Sequence, residues 1–112
     1  MAYGVRNTKV VDLVAYHAEL DQVLLVMIEE RPWCGSYQQL AELQDKIIKY
    51  VSFLLDGQFE KMYPEHASKV VRFELRCAEV PTQVNQFIVE MNKRLAKHNI
   101  KLSVKSLNGQ EF

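Results

Sequence analysis

Six consecutive apolar residues, Val23-Leu24-Leu25-Val26-Met27-Ile28, constrain this fold more than any other feature. A strand with one face in water alternates apolar and polar residues, whereas an unbroken apolar run of this length has both faces covered. The run also falls far short of the roughly 18 residues that a membrane helix needs. It is read as an interior strand. The rest of the chain must then supply neighbouring strands and a layer over the sheet.

Those neighbours are legible. Val10 to Tyr16 is rich in β-branched residues and lacks helical spacing, so it predicts a first strand. The polar-leaning link His17 to Gln22 makes it one arm of an antiparallel hairpin with Val23–Ile28. From Val70 to Cys77, the residues Val71, Phe73, Leu75 and Cys77 alternate with Arg72, Glu74 and Arg76. That period of two predicts a third strand with one face on a core and the other toward water. Ile100, Leu102 and Val104, alternating with Lys101, Ser103 and Lys105, predict a short fourth strand.

Two amphipathic helices separate these strands. Ser36 with Gln39 three residues on has the form of a capping box. Leu40, Leu43, Ile47, Tyr50, Val51 and Leu54 follow at helical spacing, and Asp56-Gly57 stops the run. Phe59 to Tyr63 leaves room for one more helical turn before Pro64. Pro81-Thr82 opens the second helix, whose stripe is Val84, Phe87, Ile88, Met91 and Leu95, and His98-Asn99 ends it. The order is β-β-α-β-α-β. Strands joined through helices run parallel with right-handed crossovers, and the polar outer faces of strands 3 and 4 put both helices on one face. The expected class is therefore α+β: a two-layer α/β sandwich on a mixed four-stranded sheet. At 112 residues the chain is one domain, 1–112, with its ordered core from about residue 10 to 105.

One consequence concerns the face away from the helices. Strand 2 is apolar at both parities and strand 1 nearly so, Asp12 excepted. A contiguous apolar patch marks an interface unless the chain covers it with its own ends, through Tyr3 and Val5 or Leu107 and Phe112.

Charge narrows the partners. Fourteen Lys and Arg balance fourteen Asp and Glu, so the net charge is zero and no overall nucleic-acid footprint exists. The local basic stretch Lys93, Arg94, Lys97, His98, Lys101, Lys105 reads as a solvated helix face and the outer face of a strand. No membrane segment is expected. The N-terminal residues lack the apolar core of a signal peptide, and two cysteines are too few for a disulfide scaffold. A cytoplasmic location with free thiols follows. His17, His66 and His98 are scattered and four glycines cannot build a phosphate loop, so no metal, cofactor or catalytic group is expected.

If a ligand binds, it belongs at the carboxyl ends of the parallel strands. Asp12, Glu29, Glu30, Arg31, Trp33 and Ser36 converge there and are the candidate crevice residues. Each also has a plain structural role: solvated strand-end charges for the glutamates, a surface ion pair for Arg31, a packing plug for Trp33, a helix cap for Ser36. Asp12 with Glu29, Glu30 and Arg31 also has a faint likeness to the carboxylates and cation of metal-dependent nucleases, although an arginine cannot serve as the proton-accepting lysine.

The segment Glu29-Glu30-Arg31-Pro32-Trp33, with the preceding strands, Gly35-Ser36, Asp56-Gly57-Gln58 and Tyr63-Pro64, resembles a small family of uncharacterised bacterial proteins. The resemblance implies a domain of unknown function with a small α+β fold and transfers no catalytic residues. The expected function is a non-enzymatic self-association or protein-interaction module, a homodimer being one form of it. The alternative is a small ligand-binding domain or enzyme, a metal-dependent hydrolase being one version, using the crevice at the end of strand 2.

Overall fold

Two crossovers that step in the same direction lay out the architecture. The computed structural model describes residues 11–33, 37–78, 82–108 and 110. It contains β1 (Leu13–His17), β2 (Gln22–Glu29), α1 (Tyr37–Leu55), α2 (Gln58–Met62), β3 (Val70–Cys77), α3 (Thr82–Leu95) and β4 (Leu102–Lys105). Short 3-10 turns at Pro64–His66 and Ala96–His98 fill the connections. The sheet order is β1-β2-β3-β4. β1 runs antiparallel to β2, and β2, β3 and β4 run parallel. Because β2-α1-β3 and β3-α3-β4 each move one place the same way, crossovers of one hand put both helices on one face. The predicted α+β two-layer sandwich is the fold observed.

A single core joins the layers. Val23, Leu25 and Met27 of β2 and Phe73 and Leu75 of β3 pack against Leu43, Ile47 and Tyr50 of α1 and Ile88 and Met91 of α3. The opposite parity of β2 turns away from the helices. There Val26 is nonetheless fully buried, while Leu24 and Ile28 are half-buried. The far face therefore exposes less apolar surface than its sequence suggests.

Several boundaries differ from expectation for local reasons. β1 starts at Leu13 rather than Val10 and runs on to His17, and β2 begins at Gln22. The hairpin link is thus only Ala18 to Asp21. It closes through the Asp21 N–H donating to Ala18 O, with Asp21 at φ 52°, a left-handed conformation that aspartate tolerates. The extra turn after Gly57 is α2, entered through Gly57 at φ 83°. Asn99, at φ 58°, ends the 3-10 turn after α3. Asn92 then sets the register of β4: its side chain donates to Leu102 O and accepts from Leu102 N–H at 2.9 and 2.8 Å. Glu74 was expected to meet water and is instead buried, because Arg76 Nε donates to its carboxylate at 2.7 Å. Ser36 and its predicted capping role lie outside the described residues, as does Cys34. No helix among the described residues is long and apolar enough to cross a membrane.

Candidate functional site

At the start of β1 the backbone ladder gives way to side chains. Asp12 Oδ2 accepts the Ile28 N–H at 2.9 Å, where a strand carbonyl would otherwise stand. The Tyr50 hydroxyl, reaching down from α1, accepts the Asp12 N–H at 2.9 Å and donates to Val26 O at 2.6 Å. The other Asp12 oxygen accepts from Lys46 Nζ at 2.8 Å, and both side chains are 0% exposed. Lys46 Nζ also lies 5.6 Å from the Tyr50 ring centroid. Helical spacing explains the convergence: Leu43, Lys46, Ile47 and Tyr50 share the core-facing side of α1. A buried charge is tolerated only when paired and hydrogen-bonded, and this network meets that condition for Asp12.

Burial raises the Tyr50 phenol well above its ordinary value; the Asp12 N–H bonded to its oxygen opposes this, and the nearby Asp12 charge adds a smaller push upward. The unfolded phenol ionises near pH 10. Below that pH both folded and unfolded chains hold the proton, so Tyr50 contributes no pH dependence. Above it the unfolded chain releases the proton first, and stability falls as pH rises. Tyr50→Phe is expected to cost about 1–3 kcal/mol at neutral pH, the penalty for two orphaned backbone groups. It should also flatten the alkaline decline relative to wild type. Urea melts between neutral pH and pH above about 10 read both effects; parallel alkaline slopes in the two proteins would contradict the assignment.

The end of β2 carries a second ion cluster. Glu29 is 2% exposed. Arg31 grips it in bidentate fashion, Nε to Oε1 at 2.9 Å and Nη2 to Oε2 at 2.6 Å, and the Arg31 N–H adds a third bond at 3.0 Å. Arg31 Nη2 also donates to Glu42 Oε1 on α1 at 2.9 Å. Hydrogen bonding of the guanidinium to the Glu29 carboxylate, which accepts, is the main reason Arg31 is held above its usual value. The expectation of a solvated strand-end charge at Glu29 is therefore corrected: the bidentate partner makes burial affordable. Glu30 is exposed on the other side. Trp33 is half-buried against the core, with its indole nitrogen buried and unpartnered. Nearby, Gln39 Nε2 donates to Pro32 O at 3.3 Å.

The structure thus brings Asp12, Glu29 and Arg31 to one end of the sheet, where each has a charged partner within the protein. Asp12 neutralises Lys46 and Glu29 neutralises Arg31. Among the described residues no group of three or more His, Cys, Asp and Glu is placed to hold a metal. Among the described residues a concave surface reaches Asp12 but lies otherwise away from Glu29 and Arg31. A cleft of about 1030 Å³ opens between the outer edge of β1, the end of α1, and α2. Val11, Leu13, Val14, Phe53, Met62 and Tyr63 line it together with the polar Asp12, Lys49, Tyr50, Ser52, Asp56 and Gln58, so its surface is about as polar as it is apolar. Sequence reasoning singled out one of its lining residues, Asp12, and missed the rest, because none of those stands out alone. It also missed Lys46, although a lysine on the Leu43–Ile47–Tyr50 stripe is itself a signal that a buried acid must exist.

The fold and site define a two-layer α+β domain whose central acids are held in internal ion pairs and which has a cleft beside an edge strand. The chain belongs to a family of unknown function, DUF6572, which matches residues 3–108. No curated protein and no solved structure matches it significantly.

Proposed function

We propose that this chain is a protein-interaction module without catalytic machinery, engaging another polypeptide along the outer edge of β1. The observation that carries the reading is the cleft: its walls run beside an edge strand that has, among the described residues, a single neighbour, β2. Edge strands offer backbone donors and acceptors to an incoming strand, and adjacent pockets take its side chains. The half-exposed Leu13 and the exposed Met62 flank the cleft and add apolar contact. Against an enzyme stands the commitment of Asp12, Glu29 and Arg31 to internal pairs. A bacterial, cytoplasmic setting goes with this reading.

A photo-crosslinking residue placed at Leu13 or at Met62 in cells of the native host is expected to capture a protein adduct, and one at Val89 on α3 is not. Adducts at Val89 alone, or at none of the three positions, would defeat the proposal.

A further inference from the structure

We infer that the strand received by β1 is β1 of a second copy of this chain, paired antiparallel about a two-fold axis through Ala15. The inference rests on the interaction reading above and names its partner. Edge strands are ordinarily guarded against such pairing by lysine, proline or inward-pointing charge. β4, the opposite edge, fits that pattern: Lys105 closes it and Lys101 precedes it. β1, Leu-Val-Ala-Tyr-His, carries no Lys, Arg, Asp, Glu or Pro. Asp12, directly before β1, turns its charge inward to Lys46, so among the described residues the outer side of β1 presents neither a guarding charge nor a neighbouring strand.

The two-fold register is self-complementary. It sets Ala15 against Ala15, Val14 against Tyr16 and Leu13 against His17, with no like charges opposed across the axis. The chain's net charge of zero adds no long-range repulsion between copies. The same geometry carries the 18–21 turn of one copy toward the cleft of the other, at Val11 and Met62. Leu20 on that turn is 54% exposed, an apolar side chain that would meet the apolar part of the mate's cleft, at Val11 and Met62. An isologous contact of this kind forms twice by symmetry and closes on itself as a dimer, consuming both β1 edges and leaving only the lysine-flanked β4 edges at the ends of the joined sheet.

Light scattering on the purified full chain at micromolar concentration should give twice 13.0 kDa. Directly opposed residues in an antiparallel pair have Cα atoms about 4.5–5.5 Å apart, within disulfide range. Mild oxidation of Ala15→Cys should therefore yield a covalent dimer that neither the wild-type chain nor Lys101→Cys yields. Ala15→Lys, which opposes two ammonium groups on the axis, should return the mass to that of the monomer with its circular dichroism unchanged. A monomeric wild-type chain overturns the inference. So does a dimer that survives Ala15→Lys and gives no Ala15→Cys crosslink, because that dimer uses another surface. A monomer whose Leu13 still crosslinks to a different protein keeps the interaction reading and eliminates only the second copy.

Discussion

Replacing Lys46 with methionine is expected to lower the unfolding free energy by about 3–5 kcal/mol, the range for breaking a buried ion pair by removing one partner. Methionine matches the lysine stem in length and keeps the contacts of α1 with the core. The loss is electrostatic: Asp12, with a side chain that is 0% exposed, would keep the Ile28 N–H and lose the Lys46 ammonium. Set against the 5–15 kcal/mol by which small domains are stable, this is a large fraction. The compensating variant is specific. In Asp12→Asn with Lys46→Met, the amide oxygen still accepts from Ile28 and no charge is buried, so most of the lost stability should return. Asp12→Leu with Lys46→Met should recover less, since the Ile28 N–H is then orphaned. Denaturant melts of the three variants test this. A loss below about 1 kcal/mol for Lys46→Met would place the pair among solvated surface bridges and contradict its burial.

Trp33→Ala is expected to cost about 3 kcal/mol, the lower end of the range for truncating a core aromatic, because Trp33 is half-buried and not enclosed. Its position explains the size of the effect. β2 ends at Glu29, Pro32 cannot donate a ladder bond, and the chain must cross from the sheet to α1. The indole packs against the core at that joint. Its N–H is buried without a partner, so the ring contributes through packing and not through hydrogen bonding. Trp33→Phe should therefore cost much less than Trp33→Ala, since it keeps most of the packing and removes the unsatisfied donor. If both variants melt as the wild type does, the structural role fails and the end of β2 becomes a candidate ligand site again.

How much of this could be read in advance depended on distance along the chain. The period-two pattern of Val70–Cys77 predicted β3 with its observed ends, and the stripe from Leu40 to Leu54 predicted α1. Glu29 and Arg31, two residues apart, were close enough to suggest a pair. Lys46 and Asp12 were not, being 34 residues apart. The sequence reading assigned Asp12 to a crevice and left Lys46 out of the helix face. The start of β1 was misplaced for the same reason: the groups that replace its ladder come from Tyr50, 38 residues away.

By itself, then, the sequence determined the order of elements, the parallel and antiparallel senses of the strands, and the face of each helix that packs inward. These follow from short-range sterics and from where apolar side chains recur, and both are written in neighbouring residues. Only the tertiary structure decided which charges are internal and where a concavity remains. Asp12 and Glu29 are acids of ordinary appearance until α1 crosses the sheet and brings Lys46 to one and Glu42 to the partner of the other. The cleft beside β1 is built from a strand, the end of one helix and a five-residue helix that Gly57 turns back toward it. Its shape is a property of the space between elements. That space is fixed by how the layers pack, which no single segment of the chain encodes.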